Sequence, residues 1–297
     1  LEAVGQAAVW KISEFNPQAL SNTVLAFARL QSREQEFLEA VGQAAVWKIR
    51  EFNPQNLSNT VWAFGKLESR ERELLEAAGQ AAVWKIREFS PQALSNTVWA
   101  SATLELRDQE LLEAVGQAAV WKIWDFRPPN LSNTVWAFAT LELRDQELLE
   151  VLGPAAVRKI REFNPQDLAN TMWAFAKLKL RGQELLEAVG QAAVWKIWEF
   201  NPQALSNTVW AFAKLDSREK ELLEAVGQAA VWKIREFSSQ NLSNTVFAFA
   251  KLDSRDEELL KAAGQAAVWK ISEFNPQALS NTVWAFATLE LRDQELL

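Results

Sequence analysis

Phe52-Asn53-Pro54-Gln55-Asn56-Leu57-Ser58-Asn59-Thr60-Val61-Trp62-Ala63-Phe64 decides how the rest of the sequence is read. Lightly edited, the stretch occurs eight times. Its central asparagine falls at Asn22, Asn59, Asn96, Asn133, Asn170, Asn207, Asn244 and Asn281, always 37 residues apart. A glycine keeps the same interval, from Gly5 and Gly42 to Gly227 and Gly264. The chain is one unit copied eight times, with copies starting near residues 1, 38, 75, 112, 149, 186, 223 and 260. A fixed period of this length implies that each copy packs only on its neighbours. Residues 1–297 are therefore expected to form a single repeat domain.

The second copy reads as two helices. Residues 33–52 (REQEFLEAVGQAAVWKIREF) are mostly strong helix formers. At 100° per residue Phe37, Leu38, Val41, Ala44, Ala45, Ile49 and Phe52 share one side, and Glu36, Glu39, Gln43 and Arg50 the other. This is helix A. Ser32 is its expected cap, and Ser254 with Glu257 gives the better capping box. A bend is expected at Gly42, and Pro154 in the fifth copy should kink or split its helix. Helix B starts at Asn53 as cap with Pro54 in the first helical position. It runs to about Leu67 and turns Leu57, Thr60, Val61, Phe64 and Leu67 towards helix A. The fold class that follows is all-α, an α-solenoid of eight 37-residue helix-turn-helix repeats.

Composition removes whole classes of function. There is no Cys, His or Tyr among the 297 residues, so thiol chemistry, imidazole bases and the commonest metal ligands are absent. Ser, Asp and Glu recur in every copy, whereas an active site breaks symmetry at one place. No phosphate-cradling glycine loop or nucleophile elbow occurs. No enzyme activity, cofactor or metal is expected. No apolar run reaches the ~20 residues of a membrane-spanning helix, so membrane insertion is not expected.

The polar side of helix B carries the functional argument. Gln55, Asn59, Trp62 and Lys66 are spaced i, i+4, i+7, i+11 and form one stripe, flanked by Asn56. Stacked copies make a ribbon of amide, indole and cation. Amides read base edges, flat rings stack on unpaired bases, and cations neutralise phosphates. The constant asparagines at Asn22, Asn59, Asn96, Asn133, Asn170, Asn207, Asn244 and Asn281 are candidates for RNA contact. So are Asn56, Asn130, Asp167 and Asn241, where other copies carry Ala, and Arg29, Lys66, Lys177, Lys214 and Lys251, where Thr103, Thr140 and Thr288 interrupt the cations. A third variable position, on helix A, runs Ser13, Arg50, Arg87, Trp124, Arg161, Trp198, Arg235 and Ser272.

Plainer readings stand beside this one. A repeated Asn also serves as a structural ladder. The Trp62 series is read first as packing between copies, and the second series, from Trp10 to Trp269 with Arg158 in the fifth copy, more firmly so. The Lys11 and Arg33 series are read as partners for the acids at Glu14 and Glu36. Net charge is −7 with a pI near 5.0, unlike a non-specific nucleic-acid binder. A row-like charge distribution still permits a basic stripe on an acidic molecule.

The block FNPQNLSNTVWAFGKL at 52–67, following helices of the ELLEA type, resembles the octotricopeptide repeat over essentially the whole chain. The unit is slightly shorter than that family's usual one. Its Pro-Pro-Pro-Glu-Trp tract has only an echo in Arg127-Pro128-Pro129. The resemblance implies a helical-hairpin solenoid acting on transcripts in a chloroplast or mitochondrion, with about one nucleotide per repeat. The expectation is sequence-preferring binding of single-stranded RNA. The rival is a protein-interaction scaffold in an organellar assembly, and a designed consensus array is a third reading. Leu1 and Leu297 occupy equivalent positions, so apolar ends are expected to meet capping repeats, other molecules end to end, or each other in a ring.

Overall fold

The computed structural model describes residues 2–180 and 182–289, and divides into two compact units, 1–152 and 153–297. Each is an array of helical hairpins, and among the described residues there is no strand. The A helices span Glu2–Trp10, Gln35–Lys48, Arg72–Lys85, Gln109–Lys122, Gln146–Lys159, Gln183–Lys196, Lys220–Lys233 and Glu257–Trp269. The B helices span Pro17–Arg29, Pro54–Lys66, Pro91–Thr103, Pro128–Thr140, Pro165–Lys177, Pro202–Leu215, Ser239–Lys251 and Pro276–Thr288. The terminal leucines on which end association was argued lie outside the described residues.

The Asn-Pro start behaves as read. Asn53 Oδ1 accepts from the Asn56 N–H at 2.8 Å. Asn16, Ser90, Asn164, Asn201, Ser238 and Asn275 cap their helices in the same way. In the fourth copy Arg127 cannot accept, and the bond reverses: its N–H donates to Asn130 Oδ1 at 3.2 Å. Helix B ends on a left-handed residue that is never glycine, such as Gln31, Glu68 or Asp216. The Ser69 N–H reaches back to the Phe64 carbonyl at 2.9 Å, which closes a Schellman turn.

Helix A corrects the sequence reading at its end and at its cap, and is not split at its glycine or proline. It stops near Lys48, a 3-10 turn follows at Ile49–Glu51, and Phe52 is extended with its ring fully buried. The cap is residue 34 or its counterpart rather than Ser32 or Ser254: Asp108, Asp145 and Asp256 accept from the backbone N–H three residues on. The helices run on through their glycines, which hold no positive φ. Pro154 lies inside the helix Gln146–Lys159 without splitting it. Both Pro154 and Glu150 are exposed, so the carbonyl that lost its N–H partner faces water.

The glycines are seats for neighbours. The ring tip of Phe27, Phe138, Phe212 or Phe249 rests on the glycine of its own copy, and the residue capping the next helix A rests on it from the other side. A Cβ at Gly116 or Gly227 would collide with a carboxylate oxygen of Asp145 or Asp256, whereas at Gly42 it would meet Glu71 Cγ at 3.5 Å.

The ammonium of the Lys11 series locks one copy onto the last. Lys85 Nζ donates to the Arg50 carbonyl at 3.0 Å and the Phe52 carbonyl at 2.6 Å, and Lys48, Lys122, Lys196, Lys233 and Lys270 repeat the pair. The expected pairing with Glu14 is thus replaced by carbonyls at a helix end. Arg33 and Arg70 likewise bridge to Glu68 and Glu105 of the next copy, at 3.1 and 3.7 Å, rather than to the acids of the Glu36 row.

Two outcomes are expected in chemical denaturation. Lys85→Met keeps the stem but strands two carbonyls, and should cost about 1–3 kcal/mol, with hydrogen exchange rising locally in the second and third copies. Gly42→Ala should gain up to about 1 kcal/mol of helix propensity. Gly227→Ala should instead lose about 1 kcal/mol as Asp256 is pushed off its cap. Equal shifts for the two alanine variants would disprove the seat.

Candidate nucleic-acid interface on the B helices

Small residues bring neighbouring B helices close. Ser21, Ser58, Ser95, Ala63 and Ala100 are buried between them, and a Cβ on Gly65 would lie 3.1 Å from Ala100 Cα. A helices contact each other less closely, so within each unit the B row follows the tighter side of the stack. The stripe on its open side is present as read. Gln55 and Lys66 are exposed, and Asn59 and Trp62 half-exposed. It runs about 16 Å along each helix at 1.5 Å per residue, from an amide end through an indole to a cation.

At the amide end the copies adjoin. Gln55 and Asn59 share an open groove of about 480 Å³ with Gln92 and Asn96, bounded by Glu88. Gln92 and Asn96 share the next, of about 510 Å³, with Asn130 and Asn133, bounded by Asp125 and Arg127. Asn22 is exposed, while Asn170, Asn207, Asn244 and Asn281 are half-exposed at the same place on their helices. Asn281 Oδ1 accepts from Gln277 Nε2 at 3.0 Å, so in that copy two amides of the stripe already engage each other.

The indoles form a ladder. Trp62 and Trp99 have ring centres 5.9 Å apart, Trp99 and Trp136 6.5 Å, and Phe247 and Trp284 5.0 Å. Packing between copies therefore engages these rings, Trp99 with a neighbour on either side, while Trp62 and Trp99 remain half-exposed. At the cation end Lys177 Nζ sits 5.5 Å from the Trp173 ring centre and Lys214 Nζ 5.3 Å from that of Trp210. Arg29, Lys66 and Lys251 are exposed at the equivalent place. In the third copy Thr103 turns its hydroxyl to the Trp99 carbonyl at 2.9 Å, so the cation row is interrupted there.

The variable amides belong elsewhere. Asn56 and Asp167 are buried, Asn130 and Asn241 half-buried. Asn56 Nδ2 donates to Ser21 Oγ at 3.2 Å, Asn130 to Ser95 and Asn241 to Ser206 at 3.1 Å. Asp167 Oδ2 accepts from the Asn164 N–H at 3.2 Å. These side chains stitch one B helix to the previous one or cap their own, and Asn130 does so at the wall of the groove it shares with Gln92 and Asn96. The available signal was the helical wheel, on which the position lies about 40° from Thr60, on the apolar side.

The opposite error concerns Trp10 and its counterparts. Read as packing, they are instead the most exposed large hydrophobic side chains among the described residues, Trp47 at 91% and Trp10 at 87%. The wheel carried this too, since Trp47 lies about 40° from Gln43 and about 20° from Glu36, on the polar side of helix A. Among the described residues no group of three acids could hold a metal ion, and no helix is long and apolar enough to cross a membrane.

Fold and stripe together define a helical-repeat protein in which polar, aromatic and cationic side chains recur along the B helices of each unit. The chain belongs to the RNA-editing substrate-binding complex 6 protein family, whose model matches residues 126–297. A family described only as a protein of unknown function matches residues 35–61. No curated protein matches the sequence. Among structures, a chain described as a homology model of the full-length AP-3 complex in an intermediate open conformation is similar over 94% of this chain and 49% of that one. Identity is 11% and the TM-score 0.38. This chain thus spans about half the length of that one, and so remote a likeness carries no argument.

Asn56→Ala should cost no more than about 1 kcal/mol, because Ala93 and Ala204 fill the same buried seat and Ser21 keeps its bond to the Gln18 carbonyl. Asn59→Ala should stay within about 0.5 kcal/mol. Thermal melts of the two variants check both values.

Proposed function

We propose that this chain binds single-stranded RNA along the B-helix stripe, with a preference among sequences, as part of transcript stabilisation, processing or translation in a mitochondrion or chloroplast. The observation that carries the reading is the recurrence of amides, an aromatic ring and a cation in fixed order along the B helices, with the full set, indole included, in copies two, five and six. Bases splayed from a single strand bond to amides and pack against the exposed parts of the rings, while phosphates follow the cations. Membership of a family named for an RNA-editing substrate-binding complex supports RNA and protein partners. The resemblance to octotricopeptide repeats supports the organelle and the hairpin-per-nucleotide arrangement.

With the variable amides buried, preference arises where the open stripe itself changes. Pro129 replaces the first amide, Leu25 and Phe247 replace indoles, and Thr103, Thr140 and Thr288 replace cations. Copies three, four and eight bind a phosphate less strongly than copies one, two and five to seven. Net charge of −7 is compatible with this, since binding then depends on a few aligned cations rather than on a global field.

Selection from a random RNA pool, followed by titration against salt, tests the reading. An enriched motif is expected, and the log-affinity slope should fall by about 0.7 for each of Lys66, Lys177, Lys214 and Lys251 replaced by Ala. Asn59→Ala should weaken binding and Asn56→Ala should not. Binding without an enriched motif would remove the preference, and no binding at low salt would remove the class.

A further inference from the structure

Copy four breaks the symmetry of the array at the amide end of its B helix. Every other copy caps that helix with the side chain of an asparagine or serine, whereas copy four carries Arg127, followed by Pro128 and Pro129. Here the Arg127 N–H donates to Asn130 Oδ1, and the guanidinium takes no part in the cap. Two residues earlier, Asp125 closes the 3-10 turn. Phe126 between them is extended and fully buried, which turns both of its neighbours outward. Asp125 and Arg127 are exposed, and among the described residues neither forms an ion pair.

Both charges border the groove of about 510 Å³ between copies three and four, with Gln92, Asn96 and Asn133 beside them and Pro91 and Pro129 as apolar lining. That volume falls within the range of pockets for small ligands. Gln92 is exposed and Asn96 and Asn133 half-exposed. Asn130 is already engaged with Ser95 and with its own cap. The groove between copies two and three has an acid too, Glu88, but Ser90 stands where the guanidinium would be. At the far end of the stripe, copies three and four carry Thr103 and Thr140 in place of a cation. With no cation for the phosphate, the grip on a strand at these two copies falls to the base.

We propose, on the strength of the RNA binding proposed for the stripe, that the groove between copies three and four is a pocket for a guanine base of the single strand. A carboxylate only accepts hydrogen bonds and a guanidinium only donates them. Guanine offers two adjacent donors, N1–H and the N2 amino group, and two acceptors, O6 and N7. Asp125 takes the donors and Arg127 the acceptors. Adenine and cytosine present one amino group beside an acceptor, and uracil one imide N–H, so none of them satisfies a carboxylate twice. The amides of Gln92, Asn96 and Asn133 both donate and accept, and serve the rest of the base edge. The two charges cancel, so the groove does not repel a polyanion, whereas a charged peptide of either sign meets one like charge there.

The test uses the full chain and oligouridine RNAs carrying a single central guanosine, adenosine, inosine or 7-deazaguanosine, read by fluorescence anisotropy at low salt. The guanosine RNA should bind about tenfold or more tighter than the adenosine RNA. Inosine lacks the N2 amino group and 7-deazaguanosine lacks N7, and each should lose most of that gain. Asp125→Asn should abolish the discrimination against inosine and Arg127→Ala that against 7-deazaguanosine, while Glu88→Gln changes neither. The altered side chains are exposed, so circular dichroism should not change, and oligouridine alone should still bind every variant. Equal affinity for guanosine and adenosine, or a preference that survives both substitutions, overturns the pocket while leaving RNA binding in place. Free GMP bound as tightly as the guanosine RNA overturns the strand as the source of the base. Absence of binding by any RNA removes both the pocket and the function on which it rests.

Discussion

Everything in the array depends on an ammonium group held against the end of the preceding repeat. Lys85 enters from its own helix A and spans the Arg50 and Phe52 carbonyls, acceptors that the helix and its 3-10 turn leave unpaired. The bonds are charge-assisted and short, and the cation opposes the negative end of a helix dipole. A carbonyl pair admits one position of the lysine, so within each unit a copy is fixed in phase with the one before it. The interval of 37 residues then has a cause, because one inserted residue would carry the ammonium off its acceptors.

Beneath that lock the packing is divided between two kinds of contact. B helices meet through Ser, Ala and Gly, which lets their backbones approach and aligns the stripes of neighbouring copies. A helices meet through a glycine that receives a phenylalanine ring and the next cap. Both contacts require small residues at fixed places, and both tolerate change on the open sides. The one break in the ring series, Ser101 where the other copies carry Phe, leaves a cavity of about 30 Å³ among Leu75, Ala78 and Leu111. The copies are therefore free to differ where a ligand would be met, and constrained elsewhere.

Much of this was legible in the sequence because period and polarity are strong signals. The Asn53-Pro54 start, the apolar side of helix B and the hairpin repeat all follow from local chemistry. Lys48, Gly42 and Asp108 were not legible in their roles, since each also meets a residue of a neighbouring hairpin that is distant in sequence. Asn56 and Trp47 are different. Their wheel positions place one inside and one outside, and residue type overrode geometry: an amide was taken for a reader and an indole for core.

That exchange changes what the variation between copies means. At the Asn56 position, Asn, Asp and Ala differ in how two B helices are joined, so variation there records alternative solutions to packing. At the Lys66 position the side chain reaches solvent at the end of the stripe, and replacing a cation with Thr alters only what lies outside. The same contrast separates the two rows of indoles. Those of the Trp62 series lean on each other beside cations, in an environment suited to a charged strand. Those of the Trp10 series stand exposed in unit 1 among carboxylates that outnumber the arginines. A chain with an acidic total charge can thus still carry a local row of cations, because its repeats sort charge into rows.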